Sequence, residues 1–170
     1  MEATKDVLQK LSNVEIFANL SQDPQEQERL LTRVCEVLEP VKFAVGEVII
    51  KEGDIGDSLY ILYEGTVQVR RKTPNDDQFA VANLSADQNV FFGEVALVDK
   101  DTRSASVYAL TDCQTLKLEG KDFKPLCDAE PILGYHVIYK ISRRIAAALR
   151  RSNKDLMLLY EALIDEVHGD

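Results

Sequence analysis

The spacing of apolar residues along the chain changes twice, and each change predicts a different kind of structure. Val7, Leu8 and Leu11 recur at helical spacing, and Ile16, Phe17 and Leu20 form an apolar knot behind them. Asp23-Pro24 then reads as a helix start, an acidic cap followed by proline in the first turn. Leu30, Leu31, Val34, Val37 and Leu38 supply the apolar face of that helix, about four turns long, until Pro40 stops it. Residues 1–40 are therefore expected to be a helical lead-in.

From Val41 to about Leu118 the apolar runs shorten and fall between glycine and acidic turn signals. They are Val48–Ile50, Leu59–Leu62, Val67–Val69, Phe79–Val81, Ala105–Ala109 and Leu116–Leu118. Short strands at this spacing predict an antiparallel β-barrel or sandwich over residues 41–130. Gly46, Gly53, Gly56 and Gly65 fall at the intervening turns, where positive φ costs a glycine least, and residues 74–78 read as an exposed hairpin tip.

Beyond Pro131 turn residues almost vanish. Ile138, Ile141, Ile145, Leu149, Ser152, Leu156, Leu159 and Leu163 follow in steps of three and four, which predicts one long helix over residues 131–170 with a dimerisation seam. Lys140, Arg143, Arg144, Arg150, Arg151 and Lys154 avoid that seam and read as its solvated face. The fold class expected is thus α+β: N-terminal helices, an antiparallel β-roll and a long C-terminal helix.

Composition narrows the function. With 29 acidic against 20 basic residues, a net charge of -9 opposes nucleic acid as a partner, and any small anionic ligand has to be attracted by a local arrangement of donors. The two histidines, His136 and His168, and the three cysteines, Cys35, Cys113 and Cys127, show no ligand spacing, so no metal is expected. No apolar run reaches bilayer-spanning length and no signal peptide is visible, so the expected setting is cytoplasmic and away from the membrane.

Chemistry is concentrated in Phe91-Phe92-Gly93-Glu94-Val95-Ala96-Leu97 and in Arg103-Ser104-Ala105-Ser106, nine residues past the glutamate. Arg103 opens a strand whose Ala105, Val107 and Ala109 make one face apolar, where a bare guanidinium is costly. Two readings follow: an internal ion pair of Arg103 with Glu94 or Asp99, or a place for an anion. A glycine opening a short helical turn exposes backbone N–H groups, which together with an arginine suit a phosphate oxygen. A carboxylate beside them suits a sugar hydroxyl, as acidic residues do for ribose in dinucleotide sites.

Phe-Gly-Glu-x-Ala-Leu followed by Arg-x-Ala-Ser resembles the phosphate-binding cassette of cyclic nucleotide-binding domains, of the catabolite activator protein and protein kinase A regulatory subunit type. Gly46, Glu52-Gly53-Asp54, Leu59-Tyr60-Ile61-Leu62, Gly65-Thr66-Val67 and the lead-in Ile16-Phe17-Ala18-Asn19-Leu20 extend the resemblance over about residues 13–160. It implies a jelly roll that binds cyclic AMP or cyclic GMP without catalysis. In the cassette, residues 91–106, it implies that Glu94 and the Gly93 amide hold the ribose 2′-hydroxyl and that Arg103 pairs with the cyclic phosphate. The amides around Val95, Ala96, Ser104 and Ala105 would complete the anion cradle. The chain departs from the family before the cassette, where Asp87-Gln88-Asn89-Val90 stands in place of a Gly-Asp pair.

The C-terminal helix resembles the dimer helix of the catabolite activator protein group, and Ser152-Asn153 falls where that group carries two polar purine contacts. As residues alone, Ser152 is equally a polar register point in a seam and Asn153 a solvated side chain. No DNA-reading element follows the helix within these residues, so a sensor or regulatory subunit with an unidentified downstream protein is expected rather than a transcription factor. The alternative is an orphan domain of this type that dimerises or docks proteins without ligand. A cupin-like enzyme is disfavoured, since residues 41–118 contain no histidine. Ser104 suits a guanine in the syn form whereas the Ser152-Asn153 pair resembles adenine readers, and the ligand expected is cyclic AMP ahead of cyclic GMP.

Overall fold

The computed structural model describes residues 3–73 and 75–168, so Pro74 of the expected hairpin tip lies outside the described residues. Helix α1 spans Lys5–Asn13 and α2 spans Pro24–Val37. The Asp23 side chain accepts from the Gln25 amide, and Pro24 occupies the first turn, where its missing N–H costs nothing. The expected stop at Pro40 comes earlier. Helix α2 ends at Val37, and Leu38–Phe43 is already strand β1, paired with β8 (Cys113–Glu119) from Leu38↔Leu118 to Phe43↔Cys113. Pro40 is tolerated there because β1 is an edge strand.

The remaining strands are β2 (Val48–Ile50), β3 (Ser58–Glu64), β4 (Thr66–Lys72), β5 (Gln78–Ser85), β6 (Phe91–Phe92) and β7 (Ser106–Ala109). They pair antiparallel as β1 with β8, β2 with β7, β3 with β6 and β4 with β5, a hairpin rolled up on itself. The result is two four-stranded sheets, β1-β8-β3-β6 and β2-β7-β4-β5. This is a jelly roll of two facing sheets that do not close into a barrel. Strand β6 is too short to have shown as an apolar run. In β5 the apolar Phe79 and Val81 remain half-exposed and add nothing to the core.

The first sheet is covered on both faces, which is why Leu59-Tyr60-Ile61-Leu62 runs apolar without alternation. Leu59, Ile61, Phe91, Leu116 and Leu118 pack against the helices. Leu62, Phe92 and Cys113 turn inward against Ile49, Ile50, Val67, Val107 and Ala109 of the second sheet. Gly46, Gly53 and Gly65 take positive φ as expected, whereas Gly56 does not. The departure before the cassette is absorbed by Asn89, whose left-handed φ of 52° closes the 3-10 turn Ala86–Gln88; asparagine tolerates this region better than most residues.

Helix α3 (Gly120–Ala129), not separated from its surroundings by the sequence pattern, leads through a break at Glu130 into α4 (Pro131–His168). Arg29 of α2 reaches across to that break and donates to both Glu130 oxygens at 2.7 Å. The first turns of α4 pack inward through Leu133, Val137 and Ile141, all 0% exposed. Ile141 is therefore part of the domain's own core, and the seam available to a partner starts beyond it. From Leu149 onward Leu156, Leu159 and Leu163 stand exposed. Among the described residues no helix is long and apolar enough to cross a membrane.

Candidate functional site

Between the two sheets, at the cassette, lies a cavity of about 270 Å³, just under the usual range for small-molecule sites, roughly 300–1,000 Å³. Its wall combines an aliphatic surface from Ile50, Val69, Leu84 and Val107 with Gly93, Glu94, Val95, Ala96, Arg103, Ser104 and Ala105. These seven residues of the cassette are brought together where Gly93 reverses the chain. Its φ of 79° is strained for any side chain, and the 3-10 turn Glu94–Leu97 follows at once.

Arg103 is positioned from both ends. Its amide donates to the Asp54 carbonyl at 2.8 Å, and its own carbonyl accepts from the Gly53 amide at 2.9 Å. Its guanidinium donates through Nη2 to the Ser58 carbonyl at 2.8 Å and through Nη1 to the Gly93 carbonyl at 3.1 Å. Burial lowers its pKa, against the pull of Tyr60, Asp57 and Glu94, so the charged form is held at a cost. No ion pair involves Arg103 among the described residues, and the internal pair with Glu94 or Asp99 is not what forms. Five N–H groups on a guanidinium leave donors for the cavity after two carbonyls are served.

Glu94 is buried, and its counterion comes from α4: Arg144 Nε lies 3.0 Å from Glu94 Oε1. The same guanidinium stacks over the Phe91 ring at 4.4 Å from its centroid. Arg144 was expected on the solvated face, so this is a correction, and the pattern contained its cause. Val137, Ile141 and Arg144 are spaced i, i+4 and i+7, one helix face, and that face is the buried one. The amides of Ser104 and Ala105 make no backbone hydrogen bond among the described residues, as an anion cradle requires. Ser152 and Asn153 are exposed on α4 and do not line the cavity within a single chain. The aliphatic wall and the Ser58 carbonyl were not singled out from sequence, since neither carries a motif.

The jelly roll thus carries a cavity in which one short cassette presents an arginine and a buried glutamate. The cyclic nucleotide-binding domain pattern matches residues 40–130, more than half of the chain, and the protein belongs to that family. The chain is 36% identical over 95 residues to the cAMP-dependent protein kinase regulatory subunit of Dictyostelium discoideum, covering 55% of this chain and 29% of that protein. It is 35% identical over 119 residues to cGMP-dependent protein kinase isozyme 1 of Drosophila melanogaster, covering 68% of this chain and 14% of the other. Both relatives are much longer than the stretch they share with it. Among solved structures, the Thermus thermophilus catabolite activator protein superposes with a TM-score of 0.69 at 27% identity, over 86% of this chain and 63% of that one.

Proposed function

We propose that this domain is a non-catalytic sensor in the cytoplasm that binds a cyclic purine nucleotide, cyclic AMP in preference to cyclic GMP, and reports it through α4. The observation that carries the reading is Arg103: a half-buried guanidinium, held by two carbonyls against a cavity and in no ion pair among the described residues. A phosphate supplies the missing charge, and the Ser104 and Ala105 amides supply further donors. Glu94, beside it, accepts from the ribose 2′-hydroxyl. Ile50, Val69, Leu84 and Val107 give the purine an apolar bed.

Signalling follows from the second partner of Glu94. A ribose hydroxyl that hydrogen-bonds to this carboxylate competes with Arg144, so ligand loosens α4 from the cassette and changes what the helix presents to a downstream protein. The exposed Leu156, Leu159 and Leu163 make a second copy of the chain the partner along α4. Ser152 and Asn153 then reach a purine only from that second copy. The relatives include a cAMP-dependent and a cGMP-dependent kinase protein at nearly equal identity, so the preference rests on Ser152 and Asn153. Titration calorimetry with cyclic AMP, cyclic GMP and linear AMP tests the reading: binding of the cyclic forms, with linear AMP much weaker, supports it. No heat from any of the three at millimolar nucleotide leaves an orphan docking domain instead.

A further inference from the structure

The loop from Gly53 to Ser58 holds Arg103 through the Asp54 carbonyl, the Gly53 amide and the Ser58 carbonyl, and its Ile55 bridges the preceding Thr102. Inside this loop Gly56 stands out by what its backbone does not need. Gly46, Gly53, Gly65 and Gly93 lie at positive φ, where glycine is required by conformation, but Gly56 lies outside that region and its backbone accepts any residue. Space is what forbids a side chain there. A Cβ built on Gly56 would stand 2.0–2.6 Å from Nε, Cζ and Nη2 of Arg103, so the end of this side chain would have to shift and give up its bonds to the Ser58 and Gly93 carbonyls. On its other side the fork lies against Gly93, where an added Cβ would stand 2.9 Å from Nη1. The guanidinium therefore lies in a slot between two glycine backbones, with a carbonyl at each of two nitrogens.

We infer that Gly56 is a positioning residue for ligand binding: the empty volume at its Cα sets where the Arg103 guanidinium sits, and any side chain there pushes the charge out of line with the anion. The inference rests on the reading of Arg103 as the phosphate partner. A methyl group is enough, since the overlap is with atoms that two hydrogen bonds hold in place. The effect belongs to Arg103 alone, so it should vanish when the guanidinium is absent.

The test is a double-mutant cycle of Gly56→Ala and Arg103→Ala, with Gly46→Ala as control, a glycine at φ +87° with open space around it and outside the cavity wall. Each variant is titrated with cyclic AMP and melted without ligand. Gly56→Ala should weaken cyclic AMP about tenfold or more, while Gly46→Ala stays within about twofold of wild type despite its backbone strain. In the Arg103→Ala background, Gly56→Ala should change affinity by less than about twofold. Wild-type affinity in Gly56→Ala, or an equal loss in both backgrounds, overturns the inference. If the wild type binds no cyclic nucleotide, the ligand reading fails and the melts decide the slot. Gly56→Ala should then lower the melting temperature only where Arg103 is present, and an equal fall in both backgrounds refutes it.

Discussion

Glu94 lies 3.0 Å from Arg144 of α4 and forms no ion pair with Arg103, which lines the same cavity. One carboxylate is thereby tied to a helix, and the neighbouring guanidinium takes part in no ion pair among the described residues. Binding chemistry and helix position meet at this single side chain, and the first consequence concerns Arg144.

Arg144→Ala should raise affinity for cyclic AMP, because the ribose no longer competes for Glu94. Arg144 is about two-fifths exposed, so the pair contributes no more than about 1 kcal/mol and the gain should be about two- to fivefold. Hydrogen exchange of α4 should at the same time become insensitive to ligand. Lower affinity, or exchange that still responds to nucleotide, would mean that α4 is controlled elsewhere.

Acid should loosen the frame around the site. The bonds from Lys117 and Lys121 hold the Glu119 carboxyl down to about 2, and the bond from Arg29 holds Glu130 below the ordinary carboxylate range. A folded-state pKa below the unfolded value, about 4.3, means stability that is complete above that pH and lost as pH falls toward the folded value. Melting temperature should therefore decline between about pH 5 and pH 2. Glu119→Gln should flatten the decline. A mutant curve parallel to wild type over this range would assign the acid sensitivity to other groups.

Association along α4 should depend on residues past the domain's own core. Leu156→Lys places a charge in an apolar seam and should yield monomers in light scattering, whereas Ile141→Ala should cost about 2–5 kcal/mol of folding stability as a cavity in the core. Alanine at both Ser152 and Asn153 should alter the ratio of cyclic AMP to cyclic GMP affinity in the dimer and leave it unchanged in Leu156→Lys. An unaltered ratio in both would return the two residues to a structural role.

The sequence pattern conveyed the β-roll because its strands are short, apolar and punctuated, and it conveyed the cassette because Gly93, Glu94, Val95, Ala96, Arg103, Ser104 and Ala105, which line the cavity, come from one short segment. What it could not convey depended on facing elements. Leu38 continues a helical period and yet opens β1, since pairing with Leu118 outweighs local propensity. Ile141 fits the seam spacing equally well from the core side, and only packing against α3 and the first sheet decides it. Arg144 reads as a solvated charge until Glu94, fifty residues earlier, is found beside it. Gly56 reads as one more turn glycine, and its spatial role needs the Arg103 side chain in place.

The central claim is that Arg103 waits for an anion, and Arg103→Ala examined by calorimetry and thermal melts tests it most directly. Removing one member of a buried, hydrogen-bonded charge pair costs on the order of 2–5 kcal/mol, so cyclic AMP affinity should fall roughly thirty-fold to several thousand-fold. The ligand-free mutant should stay folded, with a melting temperature lower by a few degrees for the bonds lost to Ser58 and Gly93. Saturating cyclic AMP should raise the melting temperature of the wild type and not of the mutant. Equal affinity in wild type and mutant, or equal stabilisation of both by the nucleotide, would contradict the account.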